Sequence, residues 1–224
     1  MNELSVSARL VKVMVSSKFS KTTSAEPASA TSAPAASVKA SEVEMHHEKS
    51  LLQKINWLHV IILFVTPAAA VYGVLTTPLL LKTALWAFAY YFLTGIAITG
   101  GYHRLWAHRA YKASWIVQMT YAFFGAGAVQ GSALWWCRNH RVHHRYTDTN
   151  KDPYNAARGF FYAHFGWMLV YPDPKNYARV EMMDLKQNSV LKFQHYWYIP
   201  MVVGMGVLFP AAVAHYALGD FWVG

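Results

Sequence analysis

Two stretches, GYHRLWAHRAYKA at residues 101–113 and RNHRVHHRYTDTNKDPYNA at 138–156, decide how the rest of this chain is read. The first holds His103 and His108, the second His140, His143 and His144. On a helix, positions 140, 143 and 144 share one face, so three imidazoles lie together. His103 and His108 are five apart, about 140° round an α-helix. Both can reach one centre only where that helix bends or ends. Neutral imidazole suits iron, zinc, copper or nickel. The bland alternative is that basic and aromatic residues anchor helix ends at a membrane interface, with histidines among them. Five in two tight groups favour metal binding, because ionisable groups at that boundary are costly unless they bind something or face water.

Long apolar segments flank both groups. INWLHVIILFVTPAAAVYGVLTTPLLL, residues 55–81, carries no Asp, Glu, Lys or Arg and is long enough to cross about 30 Å of hydrocarbon as a helix, with Pro67 predicting a kink. Lys82 separates it from a second span over 83–101, giving a helical hairpin that returns the chain to its starting side just before His103. Residues 114–134 look long enough for a third span, yet Gln118, Gly125, Gly127, Gln130, Gly131 and Ser132 interrupt them. A full crossing would put the two histidine groups on opposite sides, so the segment reads as shallow or re-entrant. Residues 145–192 read as a polar and aromatic cytosolic cap, and 196–218 as a further span.

The chain is 54% hydrophobic and only 14% charged, below the usual quarter for a soluble domain. Its formal charge of +9 is concentrated: residues 101–160 hold eight Lys and Arg against Asp148 and Asp152. That suits a cytosolic face, anionic headgroups or a phosphate-bearing substrate; the flanking apolar segments set nucleic acid aside. The single cysteine, Cys137, rules out a disulfide framework. Residues 1–50, rich in Ala, Ser, Thr and Pro, read as a disordered tail that includes His46 and His47, followed by a membrane domain over 51–224. His59, His195 and His215 read as interfacial or packed, and His164, in FFYAHFGW, as a candidate to support a metal ligand.

These words resemble the membrane fatty acyl-CoA delta-9 desaturases of stearoyl-CoA type. GYHRLWAHRAYKA is similar to that family's first histidine box, RNHRVHHRYTDTNKDPYNA to its second, and GFFYAHFGWML at 159–169 continues the likeness, with the wording closest to the fungal branch. The resemblance implies an all-α integral membrane protein of the endoplasmic reticulum: a mushroom-shaped fold of four spans, with the histidine boxes in a cytosolic cap. It implies two non-haem iron ions, with His103, His108, His140, His143 and His144 among their ligands. O2 is the implied co-substrate, long-chain acyl-CoA the substrate, and cytochrome b5 with its reductase the electron source. Trp136 falls on a position lining the substrate path, and Arg138 on one gripping the CoA part.

There are departures. Asn139 stands where the family usually has Asp in its Arg-Asp pair, and Tyr171-Pro172 where some members carry Arg-Lys. A third histidine box, the fourth span and a cytochrome b5 segment have no counterpart up to Gly224. The sequence therefore predicts an incomplete version of the fold: a helical hairpin, a re-entrant helix, a cap and one further span, inactive by itself. The competing readings are a related membrane di-iron hydroxylase and a non-catalytic membrane partner or remnant of the full enzyme. A zinc-dependent hydrolase is weaker, since no nucleophile or carboxylate base accompanies either box.

Overall fold

Backbone polar groups cannot go unpaired in hydrocarbon, so a long uncharged run there must be helical. The computed structural model describes residues 50–220; the expected tail, with His46 and His47, lies outside the described residues. Helix α1, Trp57–Thr76, starts where the Asn56 side chain accepts from the His59 N–H, and it continues through Pro67 as one helix. Its 20 residues cover about 30 Å, and none is buried within the protein. Helix α2, Leu81–Ala107, runs back with 27 residues, about 40 Å. It is longer than about 30 Å of hydrocarbon requires, and His103 lies in its last turns.

The next segment falls short of a crossing. Ser114 caps helix α3, Trp115–Gly127, by accepting from the Val117 N–H, and its 13 residues cover only about 20 Å. A tight turn with Val129 at φ 55° and Gly131 at φ 89° then leads to Ser132, whose side chain caps helix α4, Ala133–Tyr146. Helix α3 thus dips and returns, as its interruptions predict, and α4 brings the second histidine group back beside the first.

The stretch that follows runs through turns and a helix over 160–169, π-wound at Tyr162–Gly166, before helix α5, Met183–Gln187, and helix α6, Ser189–Tyr196. It is pinned to the entrance of α1: the Asn56 N–H donates to the Leu169 carbonyl and the Tyr171 N–H to the Lys54 carbonyl, each at 2.8 Å. Helix α7, Tyr198–Ala217, completes the three helices among the described residues that are long and apolar enough to cross a membrane. It lies antiparallel to α2, with Thr83 donating to Asp220 at 2.5 Å, Trp86 to the Pro210 carbonyl at 3.2 Å, and the Tyr90 hydroxyl to the Met205 carbonyl. The result is an all-α membrane architecture with a hairpin, a shallow helix, a cap and one further span.

The buried core sits where α2, α3, α4 and α6 meet, around Tyr102, Trp106, Ala126, Cys137 and Leu191. Close approach of α3 to α2 depends on missing side chains. A Cβ at Gly125 would stand 2.4 Å from the Tyr102 ring, and one at Gly101 would stand 2.7 Å from the Tyr121 Cβ. Gly125→Ala should therefore destabilise the protein by about 2 kcal/mol through overpacking, lowering Tm in detergent by about 6 °C. Gly73→Ala, where nothing lies within 4 Å of the added atom, should leave Tm unchanged or raise it. Equal losses in both variants would contradict this packing account.

Candidate metal centre

The winding of α2 solves the five-residue spacing. Over Ala97–Ala107 the helix is π-wound, and the His108 N–H donates to the His103 carbonyl at 2.9 Å, the i→i+5 bond of that geometry. The wider turn carries position 108 back over position 103, and the two rings stand 4.5 Å apart. A regular α-turn would have splayed them. The chain then leaves through Arg109 at φ 54°, with the Ala110 N–H closing onto the Arg104 carbonyl at 2.8 Å.

Helix α4 supplies the facing pair. His140 and His144, one turn apart, have ring centroids 4.5 Å apart, and His140 lies 4.6 Å from His103 by the same measure. One nitrogen from each of His103, His108, His140 and His144 falls within 4.8 Å of all the others. His140 Nε2 is 3.0 Å from both His108 Nε2 and His144 Nε2. A neutral imidazole nitrogen has one hydrogen or one lone pair to offer, so it serves one such approach well and not two. Two nitrogens bound about 2.1 Å from one ion and about 90° apart at it would sit about 3.0 Å from each other. The donor set fits a metal ion better than it fits itself.

Burial, then the charges of its histidine neighbours, pushes His140 down to about 3, and the same causes lower His108. Both are neutral at physiological pH, the form that binds metal. Trp136 stacks on His140 with centroids 4.8 Å apart and donates from its indole to Gln130 at 3.3 Å. Cys137 stays a thiol, since burial pushes it up to about 12, and it donates to the Tyr102 carbonyl.

His143 stands outside the four-histidine group. Its Nδ1 lies 3.0 Å from both oxygens of Asp152, a buried carboxylate that also accepts from the backbone N–H groups of Asp148 and Tyr154. Nδ1 held as the donor leaves Nε2 with its lone pair, an arrangement common around metal-binding histidines. Arg138 donates to Asn139 at 3.1 Å and to the Ala178 carbonyl at 3.0 Å, while Asn139 is buried. His164 is exposed, stacks on Phe160 and bonds that residue's carbonyl within its own turn, outside the four-histidine group.

Arg141 differs from its place in the sequence reading, which joins it to a surface for anionic headgroups through its charge. Its side chain is only 13% exposed and turns inward. It donates to the carbonyls of Trp106, Ala107 and Glu181 and to both oxygens of Asp184, at 2.7–3.1 Å. The guanidinium thereby ties the end of α2 to α4, in the middle of the second histidine group. Asp184 also receives Arg109 at 2.8 Å. Asp152 and Asp184 are the residues that sequence reasoning missed. Asp152 had a weak signal, an Asx-type turn closing TDTNKDP, whereas nothing marks Asp184 as a partner of a helix 43 positions earlier.

The Arg141 bonds, followed by those from Arg109, hold the Asp184 carboxyl well below the usual carboxylate range. A depressed acid stabilises the fold above its unfolded pKa of about 3.9 and ceases to do so as pH falls through the folded value. Asp184→Asn should cost about 2 kcal/mol at pH 7, partial exposure included. The gap in Tm between wild type and variant should narrow below about pH 4. A gap that widens in acid would contradict the clasp.

Comparison with known proteins agrees with this geometry. The sequence pattern of the fatty acid desaturase family matches residues 82–224. A probable acyl-CoA desaturase of Schizosaccharomyces pombe is 46% identical over 167 residues, covering 75% of this chain and 35% of that protein. An acyl-CoA Delta-9 desaturase and an acyl-CoA Delta12-desaturase of Acheta domesticus are each 37% identical, over 76% and 75% of this chain and 49% and 48% of their own lengths. The chain thus spans about a third to a half of these relatives. With more than half of its residues matched to the family, and the paired histidine groups inside the matched region, the chain belongs to the fatty acid desaturase family.

Proposed function

We propose that this chain carries the iron-binding region of an acyl-CoA Δ9 desaturase. The observation that carries the reading is the convergence of four histidine nitrogens within 4.8 Å, from two boxes whose wording resembles that of the Δ9 enzymes. His103, His108, His140 and His144 would hold one iron. His143, oriented by Asp152, would serve a second. Iron bound there supplies the oxidising power needed to take two hydrogens from an unactivated methylene pair with O2 and two electrons.

The chain's own residues bind, orient and exclude. Trp136, against His140 and near His103, forms a wall at the inner side of the cluster where an acyl chain would approach the metal. Arg138 keeps N–H donors beyond the two that bond Asn139 and the Ala178 carbonyl, and we assign it and Asn139 to the CoA part of the substrate. Arg141, saturated by protein acceptors, is left out of that grip. The cationic stretch 101–160 favours the cytosolic face under the positive-inside rule. An endoplasmic reticulum membrane and electrons from cytochrome b5 and its reductase complete the reading.

Cells expressing the chain joined to the C-terminal part of a longer desaturase relative, with cytochrome b5 and its reductase, should accumulate monounsaturated fatty acids with the double bond at carbon 9. His140→Ala should abolish both the product and most of the bound iron, read by mass spectrometry of lipids and of metal. A double bond at another carbon would contradict the Δ9 assignment. A hydroxylated product would favour a membrane di-iron hydroxylase, and iron without any oxidised lipid would favour a non-catalytic membrane partner.

A further inference from the structure

The polar row QHYWY at 194–198 reads the turn before α4 residue by residue in the opposite direction. Gln194 Oε1 accepts from the Ala133 N–H at 2.9 Å, His195 Nδ1 is 2.7 Å from the Ser132 hydroxyl, and the Tyr198 hydroxyl accepts from the Gly131 N–H at 2.8 Å. Gln194 goes further than its neighbours. It has no exposed surface, and its Nε2 donates to the Tyr102 hydroxyl at 2.6 Å. One amide therefore bonds both the first residue of the helix that carries His140 and the residue that precedes His103.

Both of its partners need it. The Ala133 N–H is among the first donors of a helix, which have no acceptor inside the helix itself. A second link runs beside it, from Cys137 Sγ to the Tyr102 carbonyl at 3.2 Å. A flat amide with one accepting and one donating end sets the distance between two helices more sharply than apolar contact does, because either end left unpaired in a buried site is costly.

We propose that Gln194 is a positioning residue of the metal centre, setting the separation of His103 from His140 by bonding Tyr102 and Ala133 at once. The proposal rests on the metal reading of the four-histidine group. Gln194 touches neither substrate nor metal and acts only through the two helices. Removing its amide lets α2 and α4 shift, so the imidazoles meet a metal ion at altered angles.

The test uses the full chain in detergent with cobalt(II) alone as the probe, read by its visible ligand-field spectrum and by titration. Gln194→Met, of similar volume and without the amide, should weaken cobalt binding about tenfold, the usual effect of losing an outer partner of a metal site, and should move the absorption bands. Leu191→Ala removes a side chain with no exposed surface from the same helix. It should lower Tm by a comparable amount while keeping the bands in place and the affinity within about twofold of wild type. If Gln194→Met does not fold, Tyr102→Phe deletes only the hydroxyl partner and should shift the spectrum in the same sense. Wild type that binds cobalt, with unchanged bands and affinity in the folded amide or hydroxyl variant, overturns the proposal alone. Equal shifts in Leu191→Ala overturn it too. Wild type that binds no cobalt overturns the metal reading and this proposal with it.

Discussion

Everything at the centre depends on one hydrogen bond of unusual reach, from the His108 N–H to the His103 carbonyl. It closes a π-turn where an α-turn would be expected, and so turns a five-residue spacing into a shared face. π-turns are less favourable than α-turns, so the winding must be held from outside. The holding is done by Arg141, which takes the carbonyls of Trp106 and Ala107 at the end of the π segment and is itself fixed by Asp184. Arg141 sits between His140 and His143. The residue that secures the first histidine group thus belongs to the second.

This economy explains why the acidic and basic residues around the cluster are not an anion-binding surface in any simple sense. Of the arginines on α4, Arg141 is structural, Arg138 is partly committed to backbone and Asn139, and Arg145 stacks over Tyr146. A charge tally over 101–160 counts all three alike. Their chemistry differs because the number of protein acceptors within reach differs.

Much of the fold was legible in the sequence. The uncharged runs mark α1, α2 and α7, and the need for both histidine groups to share one compartment marks α3 as shallow, which its 13 residues bear out. The five-residue spacing was recognised as a problem, but its resolution was not, since no local propensity distinguishes a π-turn from the end of a helix. Asp184 and Gln194 were out of reach for a different reason. Each acts across tens of residues, and a lone Asp or Gln in a polar stretch carries no periodic signal. The turn between α3 and α4 was legible as a break, through Gly131 and Ser132, but not as the site that QHYWY grips. Tertiary contacts decided these points, and they leave few marks in one sequence.

The two histidine boxes bind one ion together if the convergence of their nitrogens within 4.8 Å is a metal centre. X-ray absorption at the iron edge, on the full chain loaded with one equivalent of iron, tests this directly. It should show outer-shell imidazole scattering from four rings, falling to two in a His103→Ala, His108→Ala double variant that still binds iron. A wild-type spectrum with oxygen neighbours and no imidazole signature would contradict the central claim, and the convergence of these histidines would need another explanation.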